Sequence, residues 1–216
     1  ASVTVEIEFD NNDGHFRTAS EDIRTHLLGR GVDPDRVGLV LDKEAGIAVF
    51  LIYDLSGRLV GYQQYNPNGE KKGRGSDAKY WTQVAKQQGA RSIAVWGLDT
   101  FDINKPTLFI TEGIFDAARL HNAGFPAIAV LGNAGNPGLK GWLGSLRQHI
   151  VAVLDNDGPG GLLSRLADKS IRVPDPYGDL NDMPQAEVAG FIRKNATKSK
   201  AEKEDSEAAR QSRPVP

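Results

Sequence analysis

The chain has 216 residues, a net charge of −2, 39% hydrophobic and 25% charged residues, and no cysteine. These figures fit one soluble domain, or one domain with a small lobe, and they exclude disulfides, thiolate zinc sites and, with only four scattered histidines, a zinc cluster. No run approaches the roughly 20 apolar residues of a membrane span, and the acidic start ASVTVEIEFDNNDG is no signal peptide, so a cytoplasmic protein with no membrane partner is expected, its nucleic-acid contacts confined to a local basic patch.

SVTVEIEF alternates apolar and polar residues and reads as a strand. The SED triplet opens an amphipathic helix over about Ser20–Leu28. GIAVFLIYD and RLVGYQQYN flank Ser56-Gly57 as a β-hairpin. NPNGEKKGRGSDAKYW, rich in glycine and lysine and without apolar periodicity, reads as an exposed, mobile loop. From there the pattern changes to strand TLFIT, helix GIFDAARLHNAG, strand AIAVLG, helix PGLKGWLGSLRQ, strand IVAVLD, helix GGLLSRLADK and short strand IRVPD. Alternating strands and helices with near-continuous apolar strands specify a parallel sheet covered on both faces. The fold class is therefore α/β: a small mixed α+β N-terminal lobe (1–104), an open parallel sheet flanked by helices (105–193), and a polar tail (194–216) with too few apolar groups to order itself beyond a transient helix near 201–210.

Ligands of open α/β sheets bind at the carboxyl ends of the strands. Those ends carry Glu112 after TLFIT, GNAGNPG after AIAV, Asp155 and Asp157 after IVAVL, and Asp179 and Asp182 in YGDLND. VAVLDNDGPGG alone is equally a turn, since Asp, Asn, Gly and Pro are turn formers. Acids gathered at one edge repel each other unless a cation sits among them, and an all-oxygen set points to magnesium or manganese. Gly113, Gly158, Gly160 and Gly161 keep side chains away where a phosphate would approach. The 132–138 loop matches neither a P-loop nor a G-x-G-x-x-G fingerprint, and stands as a plain strand-to-helix turn or a substrate contact. Asp116 reads as a first-turn acid favoured by the helix dipole, His121 as a packed helix residue, and Trp96 and Trp142 as core or interface.

TEGIFDAARL, LDNDGPGG and YGDLND resemble the three signature segments of the TOPRIM domain of primases, topoisomerases and some nucleases. RTHLLGRGVDPDRV, AVFLIYDLSGRLVGYQQYN and DAKYW resemble the N-terminal subdomain of the primase catalytic core. TEG…DA and LGNAG look closest to phage primase–helicases, so that an expected location is the host cytoplasm. Two departures stand out: there is no cysteine-rich zinc module or helicase motor, and Gln63-Gln64-Tyr65 stands where bacterial primases carry an arginine.

The resemblance implies a DNA primase that makes short RNA primers on a single-stranded DNA template from ribonucleoside triphosphates, using two Mg²⁺ or Mn²⁺ ions. Glu112, Asp155 and Asp157 would be catalytic and metal-binding, Asp179 and Asp182 would complete the metal shell, and Gly113 would lie against the nucleotide. Lys71, Lys72, Arg74 and Lys79, interleaved with Tyr65, Tyr80 and Trp81, would meet phosphates and bases, although a solvated loop explains the same residues. A separate helicase or template-recognition protein would be the partner. The alternatives are a TOPRIM nuclease using the same acids for hydrolysis, and a non-catalytic replication adaptor.

Overall fold

Near-continuous burial along the strands TLFIT, AIA and HIVAVL builds the centre of the molecule. The computed structural model describes residues 19–42, 44–87, 90–91, 93–156 and 161–196. The SVTVEIEF strand, Asp157 and the helix near 201–210 fall outside the described residues.

The N-terminal part begins with α1 (Ala19–Gly29), whose Ile23 and Leu27, one turn apart, are buried. Strands β1 (Leu39–Asp42), β2 (Ile47–Asp54), β3 (Leu59–Tyr65) and β4 (Tyr80–Val84) form an antiparallel sheet in that order. The β2–β3 turn sits at Ser56-Gly57 as the sequence predicts, organised by Asp54, whose carboxylate accepts from the Ser56 and Arg58 amides and pairs with the Arg58 guanidinium at 2.8 Å. β5 (Lys86–Gln87) and β6 (Ala90–Arg91) pair with each other, and β7 (Ala94–Val95) pairs with the end of β2.

The loop predicted over 66–81 ends two residues earlier, at Lys79, and it is tied across itself: Glu70 bonds to Asp77 and Lys79, and Asn66 to Lys79, at 2.8–3.0 Å. Glycine is required for this close approach, because a Cβ on Gly69 would lie 2.6 Å from the backbone of Ala78 and Lys79. Tyr80 and Trp81 leave the loop altogether and open β4, in register with Tyr65 and Gln64 of β3. Pairing with β3 overrides the local lack of periodicity.

The second half follows the predicted alternation through β8 (Thr107–Thr111), α2 (Ile114–Asn122), β9 (Ala127–Ala129), α3 (Pro137–Ser145), β10 (His149–Leu154), α4 (Gly161–Ser164) and β11 (Lys169–Arg172), and then adds a helix that the sequence does not announce, α5 (Gln185–Ala196). The four strands are parallel, ordered β11-β10-β8-β9. Odd and even positions serve different cores. Phe109, Val151, Val153 and Ile171 join α2, α5 and the N-terminal sheet, whereas Leu108, Ile110, Ile150 and Ala152 pack with Leu139 and Leu143 of α3. α4 is shorter than the sequence predicts, and α5, which buries Val188 and Ile192, carries the chain through Lys194 to Ala196.

The two sheets are stitched together. Trp96 and Ala129 exchange backbone hydrogen bonds at 3.1 and 2.9 Å, and Asn133, buried, donates to the Ala94 carbonyl at 2.6 Å. Phe50 and Tyr65 from the antiparallel sheet meet Phe115 of α2 edge to face at 5.8 and 4.8 Å. Burying each such side chain stabilises the fold by about 1.5–3 kcal/mol, so the boundary between the halves is itself core. Among the described residues no helix is long and apolar enough to cross a membrane.

Candidate active site

The carboxyl ends of the parallel strands open into a cavity of about 350 Å³. β8 delivers Glu112 and Gly113, the turn after β9 delivers Leu131 and Gly132, β10 delivers Asp155, and the segment after β11 delivers Asp179. Arg30, just after α1, and Gln63 and Tyr80, from β3 and β4, complete the lining together with Ile114, Phe115 and Asp116 of α2. Four residues expected at the site, Glu112, Gly113, Asp155 and Asp179, therefore meet in one place.

The other expected residues lie differently. Asp157 is outside the described residues. Asp182 is exposed and is not part of the cavity wall: its carboxylate accepts from the Gly178 amide at 3.1 Å, and its amide donates to the Asp179 carboxylate at 2.9 Å. It shapes the loop that presents Asp179. Lys71, Lys72 and Arg74 are exposed on the β3–β4 loop, outside the cavity wall. Lys79, half-buried at the base of that loop, leads directly into Tyr80. Among the described residues no three histidine, aspartate or glutamate side chains converge closely enough to ligate one ion.

Two residues of the cavity were missed by the sequence reading. Asp116 is the first-turn acid of α2 that the sequence predicts, and it also lies among the other acids. Burial, then the charges of Asp179 and Asp155, push its carboxyl up to about 8, opposed by Arg30 and the Asn181 amide. Its Oδ1 is buried with no hydrogen-bond partner. The signal was present in the sequence: Asp116 lies four residues after Glu112, in the first turn of the helix that follows the strand end.

Arg30 is the second. Its guanidinium lies 3.6 Å above the centre of the Phe115 ring and donates to the hydroxyls of Tyr65 and Tyr80 at 3.1 and 3.0 Å. With the Asn181 amide oriented to match its partners, Arg30 also donates to the Asn181 side-chain oxygen at 2.7 and 2.8 Å. Burial lowers the guanidinium pKa, but the hydrogen bonds and charge of Tyr80 and Tyr65 outweigh it and raise the value. The cavity thus brings a cation held by tyrosine and amide acceptors together with Glu112, Asp116, Asp155 and Asp179. Leu131, in the left-handed region at φ 50, is a strained non-glycine residue at the rim. Arg172 donates to the Asp155 carbonyl and, at 3.1 Å, to the Asn156 carbonyl, so β11 steadies the end of β10.

No family model matches the sequence, and no curated protein matches it. Solved structures do. The Aquifex aeolicus primase, with its zinc-binding and RNA polymerase domains, is 20% identical over 68% of this chain and 40% of that one, with a TM-score of 0.53. The RNA polymerase domain of Mycobacterium tuberculosis primase is 17% identical over 78% and 62%, with a TM-score of 0.52. The bacteriophage T7 structure with primase domains bound to an RNA/DNA hybrid and dTTP is 16% identical over 79% and 74%, with a TM-score of 0.53. The chain spans less than two thirds of the first two proteins. Its architecture is a TOPRIM-like fold resembling the RNA polymerase domains of bacterial and phage primases.

Proposed function

We propose that the chain is a primase-type catalytic domain, joining ribonucleotides on a single-stranded DNA template by divalent-metal-dependent nucleotidyl transfer. The observation that carries this reading is the cavity itself: acids from the strand ends face a fixed guanidinium from the N-terminal lobe, inside a primase-polymerase fold. The T7 domain's RNA/DNA hybrid and dTTP are ligands of the kind this cavity would take.

The donor set fits Mg²⁺ or Mn²⁺. Oxygen-only ligands suit these ions, and the orphaned, electrostatically strained Asp116 carboxyl marks a place where positive charge is wanted. Glu112, Asp155 and Asp157 would hold the ions, with Asp179 and Asp116 completing the negative field. When bound, two such ions neutralise the triphosphate and the attacking oxygen.

Arg30, rigid on Phe115, sets a fixed positive charge beside the phosphates. The exposed face of Tyr80 meets the base or ribose beside it. The primer 3′-oxygen forms a bond to the α-phosphorus, the bond to the β-phosphate oxygen breaks, and pyrophosphate leaves with the electron pair. The hydroxyl proton passes to solvent beside Glu112, which is exposed at the cavity edge. Lys71, Lys72, Arg74 and Lys79 would guide the template strand towards this site.

The test is incubation of the full chain with single-stranded DNA, four ribonucleoside triphosphates and Mg²⁺ or Mn²⁺, with products resolved on a gel. Short ribonucleotide products absent with Asp155→Asn support the proposal. Shortened DNA assigns the site to a nuclease.

A further inference from the structure

The segment that presents Asp179 carries no helix or strand between β11 and α5, and side chains from other elements hold it, among them Arg30 on Asn181 and Asn156 on Asp175. Arg119 on α2 holds two of its carbonyls. Its Nη2 donates to the carbonyls of Asn181 and Met183 at 2.8 and 3.0 Å, and its Nη1 donates to the Gln185 side-chain oxygen at 3.2 Å. Gln185 returns a bond to the Arg119 carbonyl at 3.1 Å. One guanidinium thereby fastens both ends of 181–185 to the helix that carries Asp116. The fit is close on the other side too. Gly31 (φ 77) passes so near that a Cβ there would lie 3.1 Å from the Arg119 side chain, and Asn122 donates to the Gly31 carbonyl at 2.6 Å.

Arg119 does not itself line the cavity, and it lies one turn of helix from Asp116. Burial and the Arg30 charge lower its pKa, whereas Asp116 and Asp179 raise it, which places it within the field of the acids it supports. Backbone carbonyls need a donor fork of this width, and lysine has none.

We propose that Arg119 is a positioning residue of the acidic site: by clamping 181–185 onto α2, it sets the place of Asp179 relative to Asp116 and so fixes the affinity of the cavity for a divalent cation. The proposal rests on the metal-dependent reading above. Groups that orient a ligand from behind typically change metal affinity by about 10–100-fold when removed.

The experiment uses the full chain, with Arg119→Gln, Arg119→Lys, Asp179→Asn and the Arg119→Gln/Asp179→Asn double variant. Two readouts are taken: amide hydrogen exchange of residues 177–184 without metal, and Mn²⁺ affinity by calorimetry. Arg119→Gln is expected to speed exchange in 177–184 while β8 and β10 keep wild-type rates, and to weaken Mn²⁺ binding by about tenfold or more. Arg119→Lys, keeping the charge without the fork, falls short of rescue. The double variant binds Mn²⁺ no more weakly than Asp179→Asn, because both changes act through one carboxylate. Wild-type exchange and affinity in Arg119→Gln overturn the proposal, as does a double variant that loses a second full increment. If Arg119→Gln does not fold, Gln185→Ala, which removes one arm of the clamp, gives the same two readouts. If the wild-type chain takes up no Mn²⁺, the metal reading falls, and the proposal falls with it as a metal-site device even where exchange shows the clamp.

Discussion

Arg30, just after α1, and Asn181 of the loop after β11 grip each other across the boundary of the two halves, the Asn181 oxygen taking both Nε and Nη2 of the guanidinium at 2.8 and 2.7 Å, and its nitrogen donating to the Arg30 carbonyl at 3.1 Å. This contact makes Arg30 at once a strut between the lobes and the only cation on the described cavity wall.

Arg30→Lys is therefore expected to fold and to lose activity. Lysine keeps the charge but cannot serve two tyrosine hydroxyls and an amide oxygen together. The loss of one charge-assisted contact, about 1.5–3 kcal/mol, corresponds to a fall in kcat/KM for ribonucleotides of at least about tenfold. Steady-state kinetics alongside a thermal melt check this.

Asp116 gives the apo protein a particular pH dependence. Its folded pKa, about 8, lies above the ordinary 3.8. The neutral carboxyl therefore stabilises the fold fully below about pH 4, and that contribution is lost as pH rises through about 8. Asp116→Asn should flatten this decline in urea melts from pH 5 to pH 9 without added metal. An unchanged slope would mean that the carboxyl is solvated.

Asp54 works in the opposite sense. Burial raises its pKa, but hydrogen bonds from Ser56 and Arg58 outweigh that and leave it lowered. Its contribution is present above the ordinary 3.8 and disappears as pH falls below it. Asp54→Ala should cost about 2–3 kcal/mol, read by denaturant midpoint, because the β2–β3 turn loses its organising acceptor.

How much of this was legible in the chain depends on how local each cause is. TLFIT, AIAV and IVAVL announce buried parallel strands by composition alone; the ends of TLFIT and IVAVL locate Glu112 and Asp155, and the segment after IRVP locates Asp179. The mixed tract 66–81 did not announce β4, because Tyr80 and Trp81 become strand residues only by pairing with β3. α5 was missed since Val188 and Ile192 give it a narrow apolar stripe that needs β11 and α2 to cover it. Arg30 and Arg119 were invisible as functional residues for the same reason: each acquires its role from partners 60 or more positions away in the chain, Asn181 for one and Asn181, Met183 and Gln185 for the other.

Replacing Lys71, Lys72, Arg74 and Lys79 together by alanine should weaken binding of single-stranded DNA and reduce its salt dependence. Each lost phosphate contact removes about 0.7 from the log–log slope. Three of the four side chains are exposed, so thermal stability should stay close to wild type. An unaltered slope, measured by fluorescence anisotropy across salt concentrations, returns these residues to the solvated surface.

The claim that the acids of this cavity hold a divalent cation is tested most directly by locating the ion. Crystals of the chain soaked in Mn²⁺ and measured at an absorption wavelength for manganese should show an anomalous peak within about 2.0–2.3 Å of carboxylate oxygens of Asp155 and Glu112 or Asp157. The same soak of Asp155→Asn should show the peak lost or much reduced. A wild-type cavity without a peak, or a peak on acids elsewhere that survives in Asp155→Asn, would contradict the account.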